Sequence, residues 1–326
     1  MRRSKGMRQM RKRRGFTLTE ILVSVLIMGI VMSAVLTLFF SVFKSYEFHQ
    51  DIMEAKQRGQ IALAAIEPVI LNAGLGLSPE SKDFAEYFAG MLKILPTVDD
   101  EKFTVPVQIA GDGKRKTTPE TAGIHKDKYA GNELWIVYSV PSGYGVSSPD
   151  IEQFVGGTTR TVLIDPTDFA SLKNNLSDGS TPTAQNNDLK SWVSFPGSSF
   201  PFVVKSDPQG LNSTNRGLQL ESRKTQAVHL YDELHYVRAA KISASAGSMS
   251  VEYLSGGGKQ PVVEGIRDML CVYDPDGSRT LTVTVLARAD TRRPELNIVS
   301  VEGWTGPIPD NKYRYAAVSK SWRMRN

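Results

Sequence analysis

The chain has 326 residues, 40% hydrophobic and 22% charged, the proportions of a folded globular protein and too apolar for a disordered one. Its net charge of +5 points first to nucleic acid, yet residues 1–15 alone carry Arg2, Arg3, Lys5, Arg8, Arg11, Lys12, Arg13 and Arg14 and no acid, and without them the charge is −3. A nucleic-acid footprint needs a basic face on the folded part, so nucleic acid is not expected as a partner, and a single cysteine, Cys271, excludes an intrachain disulfide.

In chain order, the basic leader gives way to Gly15-Phe16-Thr17-Leu18-Thr19-Glu20, then to residues 21–43, 23 positions without a charge and almost all apolar. At about 1.5 Å per residue a helix of that length spans roughly 35 Å, enough for a bilayer core. The preceding basic residues keep the leader in the cytoplasm, and Lys44 marks the far edge. A secretory signal peptide has an apolar core of about 7–15 residues and then a small-residue cleavage site. Here the apolar stretch is longer and no Ala-x-Ala follows it. A plain anchor leaves Glu20 unexplained. A carboxylate in an apolar span costs about 2.5–3.5 kcal/mol at mid-bilayer, less near the edge, and such residues mark function or a partner.

These residues carry a resemblance. Basic residues, the hexapeptide of residues 15–20 and an uninterrupted apolar span resemble the class III signal of type IV prepilins and type II secretion pseudopilins. The resemblance implies cleavage between Gly15 and Phe16 by a prepilin peptidase, N-methylation of the new Phe16 amine, and an assembly role for Glu20. The physics agrees: Glu20 in a membrane wants a cation, and the Phe16 amine of a neighbouring subunit would set the axial register. Two features depart from the pattern. Many pilins have a proline part-way along the apolar segment, where this chain reads Met32-Ser33-Ala34-Val35-Leu36-Thr37-Leu38 and Gly29 is the weak point of the helix. The leader is also long, and a start at Met10 gives a more usual length.

From Lys44 the pattern turns amphipathic. Phe48, Ile52, Ala55, Ala62, Ile66 and Ile70 recur at nearly helical intervals, with Lys44, Glu47, Asp51, Glu54, Lys56 and Arg58 on other faces. Pro68, Gly74 and Gly76 are stop signals. One helix is predicted over about 17–71, with Glu54 and Arg58 as a solvated pair worth a few tenths of a kcal/mol. Strands are predicted at 133–139, 159–164, 200–205, 227–238, 248–254, 267–273, 281–286 and 296–301, with a weaker one at 103–109 and a short helix at 83–92. Asp112-Gly113, Asp178-Gly179 and Asp276-Gly277 read as turns. Residues 141–149 and 174–188 read as loops. Residues 263–269, strand 281–288 and the ending Ser321-Trp322-Arg323-Met324-Arg325-Asn326 resemble PilW-type minor pilins.

Candidate chemistry is sparse. His229 and His235, six apart in one predicted strand, fall on the same face by alternation, but no third ligand at metal spacing accompanies them, nor do His49 and His125 supply one. Asp274-Pro275-Asp276-Gly277-Ser278 opens like a calcium loop without its third acidic ligand or distal glutamate, and reads as a hairpin turn. The glycine run at 255–259 lacks phosphate-loop spacing, and Cys271 sits in an apolar run as a buried thiol. No catalytic residue, cofactor or metal is expected, and the chain is not read as an enzyme.

The expected fold class is α+β: a cleaved leader (1–15), a pilin helix (16–71, membrane segment 21–43) and a β-rich antiparallel domain (72–326). The resemblance implies a minor pilin that primes assembly of a type IV pilus or sits at its tip, with a minor pseudopilin of type II secretion as the alternative. Its implied partners are prepilin peptidase, other minor pilins and the major pilin. Its implied location is the inner membrane with a periplasmic body, and later the pilus.

Overall fold

A computed structural model describes residues 16–75, 77, 107–110, 129–165, 169–178, 189–198, 200–222, 224–245, 247–253, 258–274 and 279–324. The chain divides into two compact units, residues 1–50 and 51–326. Helix α1, Leu18–Leu71, contributes to both.

In the first unit the helix is built from Leu, Ile, Val, Met and Phe, and its large apolar side chains meet no core: Ile21 is 55% exposed, Leu38 67% and Phe43 51%. Its hydroxyls turn back onto the helix. Ser24 Oγ donates to the Glu20 carbonyl at 2.7 Å, Ser33 Oγ to that of Ile30 at 2.8 Å and Thr37 Oγ1 to that of Ser33 at 2.8 Å. These three hydroxyls are thereby satisfied within the helix, as an apolar solvent demands.

In the second unit the helix buries Asp51, Ala55, Gly59, Ala62, Leu63, Ile66, Val69 and Ile70, a stripe at three- and four-residue spacing. Gly59 is required by packing, since a Cβ there would lie 2.6 Å from Val318 Cγ2. Pro68 lies in the last turn, and Gly74, at φ 73°, takes the left-handed conformation just past the end. The chain then docks on a strand: Gly74 N donates to the Val137 carbonyl, and Ser139 N to that of Leu75, each at 2.9 Å.

The strands are β1 (Val107–Ala110), β2 (Tyr129–Gly131), β3 (Glu133–Ser148), β4 (Ile151–Phe154), β5 (Thr158–Ile164), β6 (Trp192–Ser194), β7 (Phe202–Val204), β8 (Gly217–Ser222), β9 (Gln226–His229), β10 (Glu233–Ser245), β11 (Ser248–Tyr253), β12 (Gly258–Glu264), β13 (Ile266–Asp274), β14 (Thr280–Arg288) and β15 (Tyr315–Arg323). A short helix, α2 (Phe169–Asn175), follows β5. Every pairing is antiparallel. The architecture is α+β, as expected.

Two cores form. The first joins α1 (Ala62, Ile66, Ile70) to the sheet β15-β14-β13-β2 (Val283, Val285, Met269) and to β1, the first half of β3, the second half of β10, and β11 (Ile136, Ala240, Met249). The second belongs to a ring of pairings, β3–β5–β8–β7–β6–β10 and back to β3. A sheet that closes on itself is a barrel, and it has no free edge. Alternation fills the interior, with Val162 and Ile164 of β5, Leu218 and Leu220 of β8, Phe202 of β7 and Tyr236 of β10 pointing in. Phe154 and Phe195 stack edge-on against Phe202 at 4.8 and 5.4 Å.

Several predicted elements change. Residues 227–238 are not one strand: β9 and β10 are separated by a turn in which Tyr231 adopts φ 69°, held by Asp232 N to the His229 carbonyl at 3.1 Å. Residues 296–301 are not a strand. Prolines 294, 307 and 309 withhold donors around them, and this segment is pinned by Ile298 N to the Asn311 carbonyl and Lys312 Nζ to the Leu296 carbonyl. Residues 141–148 are no loop but the second half of β3, drawn into the barrel. Within 174–188, Asn174 and Asn175 end α2, and 179–188 lie outside the described residues, as do 83–92, 103–106, Asp112-Gly113 and Asp276-Gly277. Glu54 and Arg58 do pair at 2.7 Å, and Arg58 also binds the exposed Asp290 through Nη1 at 2.7 Å and through Nη2.

Candidate functional site

The first turn of α1 is organised by two residues. Thr17 stands before the first helical residue, and its Oγ1 accepts from Glu20 N at 3.3 Å. Glu20 reaches back, its Oε2 accepting from Thr17 N and Thr17 Oγ1, both at 2.9 Å. This reciprocal exchange is a capping box, and it places a negative charge at the positive end of the helix. The Thr-x-x-Glu spacing is legible in residues 17–20, where the sequence points to Glu20 as a functional carboxylate and the structure adds its capping role. Phe16 is 83% exposed beside this turn. Gly15 lies outside the described residues, so the Gly15–Phe16 bond is not placed.

Behind that turn the helix is long and apolar enough to cross a membrane, and none of its most apolar window is buried by the chain itself. Small and hydroxyl residues recur every fourth position along it, Gly29, Ser33, Thr37, Ser41 and Ser45. A family model described as the prokaryotic N-terminal methylation motif matches residues 10–36. The N-terminal segment is a type IV prepilin-like signal. Such a motif implies processing by prepilin peptidase, anchoring of the apolar helix in the membrane and association there with pilin partners. No curated protein and no solved structure gives a significant match to this prepilin-like chain.

Among the described residues the other candidates do not assemble into a site. The turn at Tyr231 breaks the alternation that was to bring His229 and His235 to one face; His229 ends β9 and is exposed, whereas His235 lies in β10 and is half-buried. His49 contacts the Phe48 ring, and His125 is outside the described residues. Among the described residues no group of three or more His, Cys, Asp or Glu could hold a metal ion. Residues 275–278 of the calcium-like turn are not among them, nor are 254–257 of the glycine run, whose Gly258 and Lys259 begin β12. Cys271 is fully buried in the first core, which pushes its thiol pKa up.

His235 has the neighbours of a Ser-His-acid group but not its chemistry. Its Nδ1 lies 3.2 Å from Ser139 Oγ and its Nε2 3.8 Å from Glu233 Oε2. Ser139 Oγ gives its proton to the Leu75 carbonyl at 2.8 Å, so the imidazole donates to the hydroxyl and takes no proton from it. Ser139 is also only 1% exposed. Burial lowers the His235 pKa below 6.5, with Glu233 opposing more weakly. The unfolded chain therefore binds this proton first as pH falls below about 6.5, and stability is lost across that window. The urea midpoint of the wild type should fall between pH 7.5 and pH 5, and that of His235→Gln should fall less. Equal slopes would contradict the assignment.

Proposed function

We propose that this prepilin-like chain is a structural, non-catalytic minor pilin of a type IV pilus, which primes assembly or sits at the tip. One observation carries the reading: residues 21–43 present apolar surface on every side, and the segment is headed by a carboxylate beside Phe16. A bilayer satisfies that surface before assembly, and equivalent helices of neighbouring subunits satisfy it in a filament.

On this reading, hydrolysis of the Gly15–Phe16 amide releases the basic leader and leaves a Phe16 amine, which is then methylated. The amine of one subunit pairs with Glu20 of the next and fixes the axial register. In the membrane, the Thr17 contacts hold Glu20 in place until that partner arrives. The large body, with its closed barrel, supports a position occupied once or a few times over one repeated along the fibre.

The test is the amount of major pilin sheared from cells lacking this gene. Loss of most of the pilin, restored by the intact gene, is expected. Unchanged pilin together with lost secretion of an exported protein would overturn the pilus reading in favour of the secretion pseudopilin.

A further inference from the structure

We infer that the barrel is an inserted, self-contained module whose folding is separable from the helix-and-sheet body, and that assembly of the fibre does not need it. The topology carries this. Strands β3 and β10 are partners from Glu133↔Ser243 to Pro141↔His235, as the two arms of a hairpin would be, and past a bulge they meet again at Gly145↔Glu233. Where a hairpin would turn, the chain instead makes an excursion from Ser142 to Leu234 that contains β4 to β9 and α2 and closes the ring.

The two cores share no residue. Every described member of the barrel core lies between Tyr144 and Tyr236, and no member of the helix-and-sheet core does. The barrel interior is filled by Phe154, Phe195 and Phe202, each fully buried. With its strands paired around the ring, the barrel itself offers no edge to a fibre neighbour, and the β4–β9 ribbon beside it is a separate two-stranded sheet. Its capacity to recognise anything lies on its outer surface. The feature most displayed there is Tyr231, 81% exposed and held at positive φ, where a Gly or Asn is the usual occupant.

The separability of folding rests on the geometry alone, whereas the division of labour rests on the pilus reading, so each has its own experiment. For the first, hydrogen exchange is followed in the full-length protein in detergent. Phe202→Ala opens a cavity in the barrel core, and Val162→Ala is a milder companion. Exchange should rise in Thr158–Ile164, Phe202–Val204 and Gly217–Ser222, on the order of 100-fold for Phe202→Ala. It should stay unchanged in Ile266–Asp274, Thr280–Arg288 and Tyr315–Arg323. An equal rise in both sets, or general unfolding with the milder variant, would overturn separability.

For the second, residues 142–234 are replaced by Asn-Gly, the turn that joins paired strands directly. Sheared pilin restored to the level given by the intact gene supports the division. Pilin as low as in the gene deletion, or failure of the shortened protein to accumulate, overturns it while leaving the pilus reading intact. If the gene deletion itself leaves pilin unchanged, the pilus reading has failed, and the exchange experiment still decides the module.

Discussion

Glu20→Gln is expected to insert into the membrane and lose its leader normally, yet to be depleted from sheared fibres by on the order of 100-fold. The glutamine carbonyl still accepts from Thr17 N, so the helix cap survives, and what is lost is the charge that meets the Phe16 amine of the next subunit. That pairing is made in a water-poor environment, where removing one partner of an ion pair costs about 3–5 kcal/mol. Glu20→Ala also removes the reciprocal contacts to Thr17 N and Oγ1 while the Thr17 Oγ1 contact to residue 20 N stays, at about 0.5–1 kcal/mol more. Immunoblots of membrane and sheared fractions separate the two contributions. Fibres containing the glutamine variant at the wild-type level would refute the register role of the charge.

Asp51→Ala should destabilise the body by about 3 kcal/mol, the larger effect on folding. Asp51 is 5% exposed, and its Oδ2 lies 2.7 Å from Arg293 Nε and 3.5 Å from Arg314 Nε. Those arginines stand near the two ends of the 26-residue excursion between β14 and β15, whose ends are joined by Ala289 N to the Arg314 carbonyl. One carboxylate on α1 thus anchors a long segment without regular structure. By contrast, Glu67, which meets Lys320 at 2.7 Å and Trp322 Nε1 at 3.0 Å, is only half-buried, and Glu67→Ala should cost about 1 kcal/mol. Chemical denaturation of the three proteins in one detergent checks the order; equal midpoints for wild type and Asp51→Ala would refute the anchoring role.

Ala55, Ala62, Ile66 and Ile70 were legible as the buried stripe because helical periodicity is written in neighbouring residues. Asp51 was placed on a solvent face by its chemistry, since its partners lie more than 240 residues away and only the tertiary fold brings them in. The division of β9 from β10 was illegible for a related reason: Leu230-Tyr231 contains none of the residues that announce a turn, and hydrogen bonds from distant parts of the chain hold Tyr231 in its conformation. Leu296-Asn297-Ile298-Val299 alternates like a strand but has no strand partner to pair with. The barrel depends on β3 meeting β10 about ninety residues later, which no local pattern encodes. At the candidate site the reverse holds. Phe16, Thr17 and Glu20 lie within five residues of one another, so the motif and its geometry are local together.

The most direct test of the account is the mass of the N-terminal peptide of the protein purified from membranes of its own cells. The prediction is a peptide that begins at Phe16 and carries one added methyl group, and that reverts to the leader-bearing form when prepilin peptidase is absent. A peptide that retains residues 10–15 in peptidase-competent cells, or one cut beyond the apolar helix, would contradict it.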